Sequence, residues 1–147
     1  MNDAHNGRDV DQTALRGAGQ ARAASWEQLG AFYDSAAVRS LLGREGKPVT
    51  RQAVSKRKGL LALATGSGQV VYPAFLFRGR QPVAGLDQVL NKLPEQLVSR
   101  WTLASWLVTP EPDLGGERPI DALFDEDPGG VDAVVRVAQA WAVELAR

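Results

Sequence analysis

The side chains best suited to chemistry in this sequence are cationic, and they cluster in the first half of the chain. Residues 39–58 contain seven arginines and lysines against one acid, Glu45, although the formal net charge of the chain is zero. Such a cluster on a small helical unit is typical of proteins that neutralise nucleic-acid phosphates and release counterions. The donors and cations expected on this face are Thr50, Arg51, Gln52, Ser55, Lys56 and Arg57. The sequence therefore predicts a DNA-binding face, with a solvated basic face that binds nothing as the alternative.

A helix that begins after Thr50 should position this face. The Thr50 hydroxyl is a suitable N-cap because it can accept a hydrogen bond from a backbone N–H that has no partner in the first turn. Arg51 would start the helix, which should continue to Leu61. Its apolar side would be formed by Ala53, Val54, Leu60 and Leu61, and the hydrogen-bonding side chains would project away from them.

Residues 34–43 predict a second short helix just upstream. Asp34 or Ser35 can cap its start, and Gly43 is interpreted as a left-handed stop. Its apolar face would be Val38, Leu41 and Leu42. Two short helices joined by a turn, with the charge on the second, form the helix-turn-helix layout.

Two flanking segments should complete this unit. Residues 25–28, with the sequence Ser-Trp-Glu-Gln, have the form of a capping box. The stripe that follows predicts a lead helix through Trp26, Leu29, Phe32 and Tyr33. Downstream, a turn at residues 66–68 joins a possible first strand over residues 61–64 to an extended run over residues 69–77. Pro73 should confine that run to a sheet edge or a bulge, and the pair of strands would form a β-hairpin wing.

Beyond residue 80, apolar residues recur at helical spacing between prolines and glycines. The pattern predicts helices over residues 83–93, 97–107, 120–124 and 131–145, with Pro119 at a first helical position. The last helix should bury Val131, Val134, Val135, Ala138, Trp141 and Val143 or Leu145. The predicted fold is mainly α: a helix-turn-helix with a small β-hairpin wing, followed by a small helical bundle. The predicted divisions are a disordered tail (1–24), a DNA-binding unit (25–80) and a helical domain (81–147).

The charge changes sign in the second half of the chain. Residues 110–132 hold eight acids against a single cation, Arg118. Such a segment repels nucleic acid and suits a basic partner protein. For its acid run at residues 125–127, a solvated turn is the alternative.

The composition argues against an enzyme. The chain has no cysteine, and its single histidine, His5, lies in the polar tail. Cysteine nucleophiles and thiolate metal sites are therefore excluded, and neither metal-ligand spacing nor a glycine loop that opens a helix suggests a cofactor. No apolar run approaches the roughly 20 residues of a membrane helix. We expect no metal, no cofactor and no membrane, and a cytoplasmic protein that associates with the nucleoid when it is bound to DNA.

The order of these segments resembles a known family. The runs TRQAVSKRK, GLLAL, a glycine turn and VVYPAFLF are followed by a helix and then by WTLASWLVTPEPDLGGERPIDALFDEDPGGVDAVV. Over residues 35–141 the chain is similar to antitoxins of the Xre/MbcA/ParS type, whose partners are RES-domain toxins that consume NAD. The most specific part runs from Trp106 to Leu123, in the position of the family's toxin-binding domain.

The resemblance implies an antitoxin of a type II toxin–antitoxin system. Such a protein neutralises a RES-domain toxin, binds operator DNA as an autorepressor, and forms a homodimer or a higher even oligomer. It implies toxin or dimer contacts by Trp106, Pro110, Leu114, Gly115, Gly116, Arg118, Pro119, Leu123 and the final helix toward Arg147. From the residues alone, this motif can also be a helix stop and restart, with Trp101, Trp106 and Trp141 in a core. The alternative function is a stand-alone helix-turn-helix regulator or a phage-type DNA-binding factor without a toxin.

Overall fold

A computed structural model describes residues 29–44, 46–127 and 129–147. In these residues helices predominate over two small antiparallel sheets, in agreement with a mainly-α class. In chain order the elements are β1 (Phe32–Asp34), α1 (Ser35–Leu42), α2 (Arg51–Ser55), β2 (Leu63–Ala64), β3 (Val70–Pro73), β4 (Phe77–Arg78), β5 (Gln81–Pro82), α3 (Leu86–Lys92), α4 (Arg100–Leu107), α5 (Pro119–Phe124) and α6 (Gly129–Leu145). The predicted tail, its His5 and the capping box at residues 25–28 lie outside the described residues.

The predicted lead helix is wrong at Phe32 and Tyr33, which lie in β1 and pair with β3. Gly30 has a φ of 76°, a left-handed conformation that a right-handed helix running through to Tyr33 could not contain. The two aromatic rings then alternate across the strand. Phe32 meets Trp101 with ring centroids 5.8 Å apart, and Tyr33 meets Phe77 with centroids 5.7 Å apart.

The starts of α1 and α2 are those that their caps predict. The Asp34 carboxylate accepts a hydrogen bond from the Ala37 backbone N–H at 2.8 Å. The Thr50 hydroxyl accepts one from the Ala53 backbone N–H at 3.0 Å. Each bond satisfies a donor that the first helical turn leaves without a partner.

α2 is shorter than predicted. It ends at Ser55, and Leu60 and Leu61 are buried outside it. Adjacent side chains on a helix point about 100° apart, so a helix through Leu60 and Leu61 would turn one of them partly away from the core. Both leucines enter the core because the chain has already left the helix and is approaching β2.

Gly43 does not stop α1 in the predicted way, since its φ of −87° is not left-handed. Glycine is needed at position 43 because there is no room for a Cβ atom. A Cβ at this position would overlap the Lys47 carbonyl oxygen and would lie 2.8 Å from the Pro48 Cα. The approach closes a tight loop in which Arg44 and Lys47 exchange two backbone hydrogen bonds, at 3.1 and 2.7 Å.

β2 and β3 form the antiparallel hairpin that the sequence predicts, around the turn at residues 66–68. The predicted confinement of this run to a sheet edge or a bulge is wrong, because β3 lies between β1 and β2 and pairs with β1 in regular register. Pro73 is tolerated as the last residue of the strand, where its missing N–H interrupts no further pairing. The chain then enters a 3-10 turn at Ala74–Leu76 instead of staying extended. Val71 and Tyr72 are buried, so the sheet forms part of the core.

The helices after residue 80 agree with the predicted segments. Pro119 occupies the first turn of α5. α6 packs against α3 and α5 and buries Val134 and Ala138. The expected burial is wrong for Val143 and Leu145, which are 56% and 39% exposed. None of the helices in the described parts of the chain has the length and apolar character needed to cross a membrane.

Contacts cross the predicted domain boundary near residue 80. The Trp101 indole N–H donates to the Ala64 carbonyl at 2.9 Å, and Arg78 pairs with Asp121 at 2.9 Å. Buried side chains from both sides of the boundary form one hydrophobic cluster. The core is therefore shared, and the division at residue 80 stays a prediction.

Candidate nucleic-acid and partner surfaces

The structure brings the six residues predicted to contact DNA together on α2 and its flanks. We call this set the basic surface: Thr50, Arg51, Gln52, Ser55, Lys56 and Arg57, all of which are exposed. The Ser55 hydroxyl donates to the Gln52 carbonyl at 3.0 Å, so this polar side chain already has a backbone partner. Within the described ranges, no acid forms an ion pair with Arg51, Lys56 or Arg57. These three cations are free to meet an external anion.

Two other arginines hold the backbone around the basic surface. The Arg39 Nε donates to the Val49 carbonyl at 2.9 Å, just before the cap of α2. The Arg80 Nη2 donates to the carbonyls of Ser40 and Gly43 at 2.8 and 2.9 Å. Carbonyls at a helix end lack partners inside the helix, so Arg80 caps α1. Sequence reasoning missed Arg80 because its partners lie 40 and 37 residues away.

The predicted partner-binding residues differ in exposure. Pro110, Gly115, Gly116, Arg118 and Arg147 are exposed, Trp106 and Leu114 are half-buried, and Pro119 and Leu123 are buried. Leu123 belongs to the hydrophobic core, and Pro119 is buried at the start of α5. Gly115 and Gly116 have φ values of 67° and 86° and face open space, so conformation is what requires glycine there. The Gly116 backbone N–H donates to the Glu111 carbonyl at 2.9 Å and closes the turn.

Asp121 links the acid-rich residues 110–132 to β4 through an ion pair with Arg78. Arg118 donates to both carboxylate oxygens of Asp121, at 2.8 and 3.0 Å, and Arg78 donates to one of them at 2.9 Å. The hydrogen bonds from Arg118, with the charges of both arginines, hold the pKa of Asp121 below its ordinary value. The Arg78 guanidinium also lies 4.3 Å from the centroid of the Phe124 ring. Arg118 is therefore engaged within the molecule, and the other seven acids of residues 110–132 form no ion pair with any residue that the structure describes.

Glu117 is in the opposite electrostatic situation. Burial, followed by the hydrogen bond and the charge of Asp125, raises the pKa of Glu117 above its ordinary value, and the charge of Asp121 adds to the effect. Folding thus makes the ionised form of Glu117 less favourable than it is in the unfolded chain.

A cleft between α4 and α6 was not predicted from the sequence. We call it the tryptophan cleft: it has a volume of about 420 Å³ and is lined by Trp106, Glu111, Asp113, Val137, Ala140, Trp141 and Glu144. The Trp106 and Trp141 rings lie with centroids 5.4 Å apart and planes inclined by 34°. Only the packing of α6 brings Trp141 to Trp106, which is why spacing along the chain did not reveal the pair.

In the parts of the chain that the structure describes, no group of three or more histidine, cysteine or acidic side chains could hold a metal ion. Comparisons with models of known families, with curated proteins and with solved structures find no match for this chain.

Proposed function

We propose that this protein is a DNA-binding antitoxin, whose basic surface binds operator DNA and whose acid-rich segment, residues 110–132, binds a RES-domain toxin. One observation carries the DNA half: Arg51, Lys56 and Arg57 are exposed and have no ion pair within the described chain. Clustered cations without internal partners bind phosphates favourably because the contact releases counterions from the nucleic acid.

The order of the elements supports a winged helix-turn-helix interpretation. α1 packs against α2, and the β2–β3 hairpin follows them along the chain. In this arrangement α2 faces the DNA. The loop that Gly43 closes carries Arg44 and Lys47, which are both exposed and would add phosphate contacts. A dimer, or a higher even oligomer, would present two such surfaces to an operator.

The partner half rests on charge and on the family resemblance. Residues 110–132 have eight acids and one cation, and that cation is engaged with Asp121. The turn at Gly115 and Gly116 has open space in front of it, so a partner can approach its backbone closely. An acidic surface with an accessible turn suits a toxin whose active-site entrance is basic.

The DNA half is tested by gel-shift titration of the full chain on DNA from its own promoter region. Arg51→Ala/Lys56→Ala should weaken binding by at least about tenfold, because two phosphate contacts are lost. The matched control is Lys92→Ala/Arg136→Ala, which removes two exposed cations from α3 and α6. Equal weakening by both pairs would contradict the assignment of the basic surface.

The partner half is tested by growth of cells that co-express the full chain with a RES-domain toxin. Gly116→Asn adds a side chain at the turn, and Gly68→Asn is the control, since both positions have positive φ and open space. The wild-type chain and the control should restore growth, whereas Gly116→Asn, shown to be folded by circular dichroism, should not. Rescue by Gly116→Asn would remove the turn from the toxin surface. DNA binding without any rescue by the wild-type chain would favour the stand-alone regulator.

A further inference from the structure

We propose that the tryptophan cleft receives an arginine side chain of the partner protein, whose guanidinium lies against the two indoles and between the cleft's carboxylates. The inference rests on the proposed function, since it takes the toxin as the partner that supplies the arginine. It assigns the recognition chemistry of a site that the sequence motif contains only in part, since Trp106, Glu111 and Asp113 lie in the motif and the rest of the lining lies on α6.

The walls of the cleft suit a flat cation. Trp106 and Trp141 are both half-buried, so each keeps part of its ring surface exposed. Their planes are inclined by 34°, which leaves a wedge between α4 and α6 instead of a closed stack. The face of an indole is electron-rich and attracts a guanidinium, which is also planar enough to stack on it. Val137 and Ala140 add apolar surface for the methylene groups of the arginine side chain.

The carboxylates supply charge that nothing in the cleft neutralises. Glu111, Asp113 and Glu144 line the cleft together with no lysine or arginine. Glu111 is held in place, because one of its oxygens accepts from the Trp106 indole N–H at 3.3 Å and the other accepts from the Asp113 backbone N–H at 2.9 Å. The side chains of Asp113 and Glu144 have no hydrogen bond or ion pair to any residue that the structure describes. These two are therefore free to bind the N–H groups of a guanidinium.

The indole faces and the three carboxylates of the tryptophan cleft together favour a guanidinium over other ligands. Three carboxylates repel a phosphate or another anion, and a neutral aromatic group would leave their charges without a partner. A lysine ammonium could pair with one carboxylate, but it cannot both stack on an indole and donate to two acids in the way that a guanidinium can.

The site is tested by NMR on the full chain with ¹⁵N-labelled tryptophan, titrated with N-acetyl-arginine amide. The matched probe is N-acetyl-citrulline amide, which has nearly the same shape without the charge. Arginine amide should shift the indole signals of Trp106 and Trp141 in a saturable way. It should not shift Trp101, whose indole N–H is bound to the Ala64 carbonyl. Citrulline amide should bind at least about tenfold more weakly.

A pair of variants connects the site to the partner. Asp113→Asn/Glu144→Gln keeps the size of the cleft and removes two charges. The matched control, Asp87→Asn/Glu95→Gln, removes two exposed charges that lie outside both the cleft and residues 110–132. The cleft variant should weaken arginine amide at least about fivefold and the toxin at least about tenfold, whereas Asp87→Asn/Glu95→Gln should change neither.

Equal binding of citrulline and arginine amides would overturn the inference. So would a toxin complex that is unaffected by Asp113→Asn/Glu144→Gln, and that result would leave the proposed function in place. Selective binding of arginine amide by a chain that binds no RES-domain toxin would support the guanidinium site and overturn the proposed function.

Discussion

Replacing Gly43 distinguishes two reasons for a glycine at the end of a helix. A left-handed stop, as predicted from the sequence, would tolerate asparagine better than alanine, because asparagine adopts positive φ at lower cost. The structure gives Gly43 an ordinary φ of −87° and makes space the limiting factor. Any Cβ would overlap the Lys47 carbonyl oxygen and crowd the Pro48 Cα. Both obstacles are backbone atoms, so the loop itself must move.

The expected cost follows from the contacts that hold the loop. Arg44 and Lys47 exchange two backbone hydrogen bonds, and Arg80 donates to the Gly43 carbonyl at 2.9 Å. Losing one of these bonds costs about 1 kcal/mol, and forced overpacking adds about 1–3 kcal/mol. We expect Gly43→Ala and Gly43→Asn each to lower the free energy of unfolding by about 2–4 kcal/mol.

Urea unfolding of the full chain, followed by tryptophan fluorescence, measures this change as a shift in midpoint at constant slope. Gly68 is the matched control, because its φ is 87° and its surroundings are open. At that position alanine should cost about 1–2 kcal/mol and asparagine less. The reasoning is refuted if Gly43→Asn is markedly more stable than Gly43→Ala, or if both variants unfold at the wild-type midpoint. The same variants should also weaken DNA binding, since the loop carries exposed cations next to α2.

Three further outcomes are expected. Thr50→Ala should lower the free energy of unfolding by about 1 kcal/mol, because the Ala53 backbone N–H loses its cap, whereas Thr50→Ser should keep most of the stabilisation. Equal losses for the two variants in urea unfolding would exclude a role for the cap. Glu117→Gln should raise the melting temperature near pH 7 and leave it unchanged near pH 3. Because the pKa of Glu117 is raised by folding, the wild-type protein loses stability as the pH rises through that pKa, and glutamine avoids this loss. A stabilisation by Glu117→Gln that appears only at acid pH would contradict this reasoning. Trp101→Phe leaves the Ala64 carbonyl without its donor and should lower the free energy of unfolding by about 1–3 kcal/mol in the same urea assay, whereas an unchanged midpoint would mean that water replaces the indole.

Local signals account for the parts of the fold that could be predicted. Asp34, Thr50 and Pro119 act within one helical turn of their own positions, so their residue types alone locate three helix starts. The exposure of Arg51 and Lys56 was equally predictable, because cations seldom lie in a core.

Features that depend on distant contacts could not be predicted in this way. Phe32 and Tyr33 fit a helical stripe by spacing, and only pairing with β3 makes them a strand. Arg80 reaches α1 across the fold, and its local sequence carries no sign of that role. The tryptophan cleft depends on the contact between Trp106 in α4 and Trp141 in α6. The sequence predicts Trp106 and the final helix as partner contacts, but nothing in it indicates that these two rings meet.

The salt dependence of DNA binding tests the central claim most directly. The logarithm of the association constant of the full chain should fall linearly with the logarithm of salt concentration, by about 0.9 units for each phosphate contact. Arg51→Ala/Lys56→Ala should reduce this slope by about two units, and Lys92→Ala/Arg136→Ala should leave it unchanged. A slope that is the same for the wild-type chain and for Arg51→Ala/Lys56→Ala would show that the basic surface does not contact phosphates.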